Sequence, residues 1–237
     1  MRPTIVLVHG AFAESASWNR VVHPLLNAGH PVIAAANPLR GLAADAAVVT
    51  DLVRTIDGPV VLVGHSYGGS VISNVDADAG DIGALVYVAG FAPEAGESCL
   101  ELSKRFPGST LGEALQAVPL RDGRVDLSIA RDRFQGQFCA DVPPADATLM
   151  AATQRPVTQS ALEESSGPRP LWKELPSYFV FGTEDNNIPA ALQRAMAERA
   201  GARRSVEIAG ASHAVAVSQP QETADLILEA ARLGAAA

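Results

Sequence analysis

Residues 59–69 read Pro59-Val60-Val61-Leu62-Val63-Gly64-His65-Ser66-Tyr67-Gly68-Gly69. A short, β-branched apolar run such as Pro59–Val63 suits a strand buried on both faces. The five residues Gly64-His65-Ser66-Tyr67-Gly68 then fit the pattern Gly-x-Ser-x-Gly, and a helix-length segment, 68–79, follows. A strand that turns sharply into a helix forces the corner residue into a strained backbone conformation. Positions two before and two after the corner approach closely, so Gly64 and Gly68 must lack a Cβ. Ser66 is left exposed at the carboxyl end of the strand, near the positive end of the next helix, as a candidate nucleophile.

The same rhythm runs through the rest of the chain. Apolar runs at 4–8, 31–35, 84–88, 178–181 and 205–208 predict further buried strands. Helix-length segments at 17–28, 42–56, 190–200 and 221–233 lie between them. This alternation predicts an α/β fold with a mostly parallel sheet and helices on both faces. Residues 91–176 break the pattern and hold nine of the 16 prolines, with short amphipathic pieces at 111–118 and 145–152 but no strong strand run. That stretch is too long for a loop and predicts an inserted helical subdomain or lid.

The 237 residues are 48% apolar and 19% charged, enough for a large core. A net charge of −8 argues against nucleic acid as a partner, because a phosphate-backbone binder needs a basic face. Two cysteines, Cys99 and Cys139, with no Cys-x-x-Cys and no metal-ligand spacing, exclude a disulfide scaffold and a zinc-finger type of site; a single disulfide stays open. Both read more readily as small buried hydrophobes. No run reaches the roughly 18 apolar residues of a membrane span. The start, Met1-Arg2-Pro3-Thr4 and then Ile5–Val8, lacks a signal-peptide core, so a cytoplasmic location is expected.

A serine hydroxyl needs a base within hydrogen-bond reach. Of the five histidines, His213 follows the last predicted strand and so falls at the same sheet edge as Ser66. His65 should point away into packing, His9 should bond nearby backbone, and His23 and His30 should be surface or cap residues. The base needs a carboxylate to fix its tautomer. Asp185, after the run Phe179-Val180-Phe181-Gly182-Thr183-Glu184, is the choice, with Glu184 in reserve. The chain order is Ser66, Asp185, His213, each after a different predicted strand, and three independent elements agreeing is stronger than any one of them. One oxyanion donor should be the Tyr67 N–H. The other should come from the loop after the first strand, where Gly10 lets backbone approach the substrate: Ala11, with Phe12 in reserve.

These residues resemble the α/β-hydrolase superfamily, and within it the small methyl-esterase and hydroxynitrile-lyase group with its bacterial esterase-like relatives. The marks are Leu7-Val8-His9-Gly10-Ala11 with Trp18 downstream, Gly64–Gly69, Thr183-Glu184-Asp185 with Ile188-Pro189, and Gly210-Ala211-Ser212-His213. The resemblance implies an α/β-hydrolase core (1–92 and 177–237), a helical cap (93–176), no cofactor, Ser66, Asp185 and His213 as triad, and Ala11 and Tyr67 as oxyanion donors. The superfamily usually opens with two further strands; here the first begins at Thr4, so a six-stranded, all-parallel sheet is expected. The lyase branch typically carries a lysine after its histidine, and here that position is Ala214.

The expected function is therefore a serine carboxylesterase acting on a small, largely apolar ester through an acyl-enzyme. The alternatives are lyase-like or other cofactor-free chemistry on the same triad, for which Lys104, Lys173 or a cap arginine would supply a cation, and a non-catalytic small-ligand binding protein. Phe12, Trp18 and Phe91 are candidate substrate-binding residues. Phe106, Phe134, Phe138, Leu149, Met150 and Trp172 are further candidate walls, each read singly as packing. A small-molecule ester is the expected partner. An exposed edge or cap leaves room for a homodimer that nothing in the sequence requires.

Overall fold

The computed structural model describes residues 1–234; the 235–237 end of the core segment lies outside them. Six strands form one sheet: β1 (Thr4–Val8), β2 (Val32–Ala35), β3 (Pro59–His65), β4 (Asp81–Val88), β8 (Ser177–Gly182) and β9 (Arg204–Ile208). The spatial order is β2-β1-β3-β4-β8-β9, and every pair is parallel. The apolar runs mark these strands because β1 and β8 are buried throughout and β3 and β4 nearly so, as in a sheet covered on both sides. Being parallel, all six end at the same edge, and the loops after Val8, His65, Val88, Gly182 and Ile208 gather there.

Helices α1 (Asn19–Asn27) and α11 (Pro220–Gly234) pack together, with α11 across β3, β4 and β8. Helices α2 (Leu42–Arg54) and α3 (Tyr67–Ser73) also pack together, with α3 on β1, β3 and β4. Two helix pairs covering the same strands take opposite faces of the sheet. Helix α9 (Ala190–Arg199) lies against β8, and the short α10 (Val215–Ser218) precedes α11. Helix α3 is shorter than the 68–79 segment suggested. Asn74 bonds back to the Ser70 carbonyl and turns its carboxamide oxygen to the Gly167 N–H at 2.7 Å, which ends the helix.

Between β4 and β8 the chain leaves the sheet. It forms α4 (Cys99–Ser103), α5 (Leu111–Ala114), β5 (Leu115–Pro119), β6 (Val125–Ile129), α6 (Phe134–Phe138), α7 (Pro144–Thr153), β7 (Val157–Thr158) and α8 (Gln159–Glu163). The expectation of a helical insertion needs correction here, because β5, β6 and β7 make a three-stranded antiparallel sheet. Its first strand is almost wholly exposed and leaves no apolar run to read. The available signal was the turn at Asp122-Gly123, where Gly123 has a φ of 87°, followed by the alternation Val125, Leu127, Ile129.

The insertion is tied back to the core by polar contacts. Arg40 donates to Asp126 and to the Pro156 carbonyl, both at 2.6 Å. The Thr158 N–H donates to the Leu39 carbonyl at 3.0 Å. Helix α2 starts at Gly41 without a capping side chain of its own. Glu164, just past α8, supplies one from a distance: its carboxylate accepts the Leu42 and Ala43 N–H groups at 2.6 and 3.1 Å. Among the described residues no helix is long and apolar enough to cross a membrane.

A carboxylate on two free N–H groups at a helix start is a favourable charge placement. Glu164→Ala should therefore lower the unfolding free energy by about 1–2 kcal/mol, read as a lower urea midpoint with an unchanged slope. Glu164→Gln should retain part of that stability. An unmoved midpoint in both would show that water caps α2 equally well.

Candidate active site

The site is built on the turn between β3 and α3. Ser66 has φ 54° and ψ −124°, a left-handed conformation that a side chain rarely adopts. A Cβ on Gly64 would stand 2.4 Å from the Gly68 carbonyl oxygen, so the corner cannot form with any larger residue. The Ser66 N–H donates to Val88, and its carbonyl accepts from Gly69 and Phe91 at 2.9 and 3.1 Å. The backbone is thereby fixed, while the hydroxyl makes no hydrogen bond among the described residues and faces a cavity.

His213 and Asp185 meet at this edge. His213 Nδ1–H donates to Asp185 Oδ2 at 2.7 Å, with both side chains fully buried. The other carboxylate oxygen accepts the Asn187 and Ile188 N–H groups, each at 2.8 Å. Glu184, the reserve, is exposed and turns away. The tautomer this imposes leaves His213 Nε2 as an acceptor, and that atom is buried without a partner among the described residues. The ring centroid lies 4.8 Å from that of His65, the residue before Ser66 in sequence, and no Ser66–His213 hydrogen bond is closed. Catalytic hydrogen bonds often tighten only with substrate present.

The loop after β1 comes equally close. A Cβ on Gly10 would stand 2.6 Å from Ser66 Cβ and 2.7 Å from the His65 carbonyl. The Phe12 N–H, the reserve donor, is committed to the Arg155 carbonyl at 3.1 Å. The Ala11 and Tyr67 N–H groups have no backbone partner among the described residues. One residue beside Tyr67 was missed from the sequence. Asp45 of α2 is fully buried and accepts the Tyr67 hydroxyl at 2.8 Å and the Arg40 N–H at 3.1 and 3.2 Å. The signal was a lone acid on the apolar face formed by Leu42, Ala46 and Val49. Burial holds the Asp45 carboxyl above its usual range against the pull of these donors, and burial next to Asp45 pushes the Tyr67 phenol far up.

The cavity at Ser66 holds about 430 Å³ and is lined by Ala11, Phe12, Tyr67 and Phe91 together with residues of the insertion. Phe12 and Phe91 thus line the space that Ser66 faces. Trp18 does not: it is fully buried with its ring edge-on to His65, so it packs the site from behind and cannot touch a ligand there. Phe134 and Phe138 are also core, with Phe138 edge-on to His213 at 5.0 Å. The Trp172 indole donates to the Pro93 carbonyl. Lys104 lines the cavity, whereas Lys173 pairs with Glu94 at 2.5 Å. Cys99 and Cys139 are free and buried, and burial pushes both thiols up to about 12. Among the described residues no three His, Cys, Asp or Glu side chains converge as a metal site.

The other histidines pack. His65 Nε2–H donates to the His213 carbonyl at 3.1 Å, and burial holds its pKa well below the usual value. His9 Nδ1–H donates to Gly10 while Nε2 accepts the Asn37 N–H at 3.0 Å. His23 is exposed, as expected. His30 is not a surface residue: it is buried, with Nδ1–H donating to the Pro3 carbonyl at 2.9 Å, because the turn after α1 folds it back onto the start of β1.

The sequence matches the alpha/beta hydrolase family over residues 5–226, and the chain belongs to that family. It is similar to salicylic acid-binding protein 2 of Nicotiana tabacum, 28% identical over 250 residues that cover 95% of this chain and 96% of that one. A chloroplastic protein of Arabidopsis thaliana that carries a methylesterase name is 26% identical over 255 residues; the match takes in 98% of this chain but spans 64% of the relative's length. The crystal structure of polyneuridine aldehyde esterase superposes with a TM-score of 0.79 at 20% identity, covering 97% and 99% of the two chains, and bears on the fold.

His9 gives the site a pH-dependent stability. Burial, reinforced by Arg155, pushes its pKa from 6.5 down to about 4. Between those values the unfolded chain binds more protons than the folded one, so this stability is whole above pH 6.5 and falls as the pH drops toward 4. The loss attributable to His9 approaches about 3 kcal/mol. Urea midpoints measured from pH 7.5 to 4 should fall steeply for the wild type and less steeply for His9→Asn; parallel curves would remove His9 as the cause. Tyr67→Phe, which removes one of the two donors on the buried Asp45 carboxylate, should cost about 1–3 kcal/mol in the same assay at pH 7.

Proposed function

We propose that this chain is a serine hydrolase that cleaves a carboxylic ester of a small, largely apolar molecule through an acyl-enzyme. Residues 93–176 act as a cap over a core of 1–92 and 177–237. The observation that carries the reading is the His213 imidazole. Its Nδ1 is held by a buried carboxylate, its Nε2 is buried without a partner, and its ring packs against that of His65, the residue before a strained serine that opens on a cavity. The methylesterase name of its Arabidopsis thaliana relative supports the same reaction class.

In this reading His213 Nε2 accepts the Ser66 proton as Oγ bonds to the ester carbonyl carbon. The carbonyl electron pair moves to oxygen, which the Ala11 and Tyr67 N–H groups receive. The intermediate collapses by breaking the bond to the alcohol oxygen, and His213 returns its proton to that leaving group. Water, deprotonated by the same nitrogen, then attacks the acyl-enzyme, and Ser66 recovers its proton as the acid departs. Asp185 holds the ring in the tautomer both steps need and stabilises the imidazolium formed in each. Gly10 and Gly64 keep the space for these contacts by having no Cβ.

Ser66→Ala should lower p-nitrophenyl butyrate turnover by about 10³-fold or more. A fluorophosphonate probe should label the wild type and not the variant. Undiminished turnover by Ser66→Ala would overturn the reading. Cleavage of mandelonitrile in preference to every ester offered would replace it with the lyase alternative.

A further inference from the structure

A second cleft of about 340 Å³ lies between the core and α7. It is walled by Leu149, Met150 and Thr153 from α7 and by Glu14, Ser17 and Asn19 from the core. An Arg20–Asp146 ion pair of 2.7 Å spans it. Among the described residues only Phe12 lines both this cleft and the cavity at Ser66.

Phe12 is fixed where it stands. Its φ is 60°, a left-handed conformation held in a non-glycine residue at a cost of about 1 kcal/mol or more. Its N–H is anchored on Arg155, just after α7. The residue is 4% exposed, so neighbours hold the ring on nearly every side. It also directly follows Ala11, and any swing of its backbone would displace the Ala11 N–H from beside Ser66. A side chain so constrained is a wall rather than a gate.

We propose that Phe12 is a specificity-determining residue. It separates the Ser66 cavity from the second cleft and thereby sets the largest group the site accepts. Without the ring, the two spaces join into one channel, whose far end carries the apolar side chains of Leu149 and Met150 and takes a linear alkyl chain. The inference rests on the esterase reading for its rate measurement and on shape alone for its binding measurement.

The test uses two ester series, p-nitrophenyl acyl esters from butyrate to tetradecanoate and alkyl butyrates of rising alcohol length. It also uses n-alkan-2-ones of the same lengths, whose affinity is read by calorimetry without turnover. Phe12→Ala should raise kcat/KM for the longest esters, relative to the shortest, by about tenfold or more in one series, as buried methylenes add up. The tightest-binding ketone should lengthen in step. Phe12→Leu should show the same shift at smaller amplitude and serves if Phe12→Ala folds poorly. Met150→Trp, which fills the second cleft, should reverse the gain in the Phe12→Ala background and leave the wild-type profile unmoved. Unchanged length profiles in both Phe12 variants overturn the inference, as does a gain that Met150→Trp fails to reverse. If no ester is cleaved but the ketone lengths shift and return as described, the partition stands and the esterase reading falls.

Discussion

Ser66 holds its left-handed backbone where its own turn closes tightly and the loop after β1 passes directly against it. The Gly64–Gly68 approach closes the turn, and Gly10 brings the β1 loop against the serine's own Cβ. Hydrogen bonds to Val88, Gly69 and Phe91 then remove the freedom to relax. Strain of this size persists when the surroundings over-determine it. Here they are the carboxyl ends of β1, β3 and β4, held in register by a parallel sheet that is buried on both faces. The sheet is thus the reason a hydroxyl sits free at the mouth of a cavity instead of bonding its neighbours.

The same edge solves a polar problem. His9, His65, His213, Asp45 and Asp185 are all buried, where an unpaired polar group is costly. Most are paired with backbone: His9 with Gly10 and Asn37, His65 with the His213 carbonyl, Asp185 with two N–H groups. Among these five side chains, His213 is the one with a ring nitrogen, Nε2, buried without a partner among the described residues.

The strands were legible because burial on both faces writes itself as unbroken apolar runs, and the serine because its turn demands glycine at 64 and 68. His213 and Asp185 were legible through chain order, which a parallel sheet converts into position at one edge. The parts that escaped lack such a translation. Trp18 is as aromatic as Phe12 and close to it in sequence, yet one is core and the other a cavity wall; the distinction depends on the Glu14–Trp18 turn and not on residue type. Strand β5 is exposed and carries no period, so only the Asp122-Gly123 turn announced it. Asp45 could be seen as an acid on an apolar face, but its partner Tyr67 comes from a helix that the sequence does not pair with α2.

The insertion does more than cover the cavity, because its anchors end on the loops that flank Ser66. Arg155 holds Phe12, next to Ala11. Asp126 and the Pro156 carbonyl hold the Arg40 side chain, while the Arg40 N–H holds Asp45, which in turn holds Tyr67. Thr158 holds Leu39, whose own φ is 63°. The loops that carry the Ala11 and Tyr67 N–H groups are therefore both linked to the β6–β7 region, the first through the single Phe12–Arg155 bond and the second through three, Tyr67–Asp45, Asp45–Arg40 and Arg40–Asp126. Loosening that small sheet would release both loops together, and their strained residues would relax. Positioning of the site is a property of the joined core and insertion: the Tyr67–Asp45 bond lies within the core, but the bonds that hold Phe12 and the Arg40 side chain cross to the inserted segment.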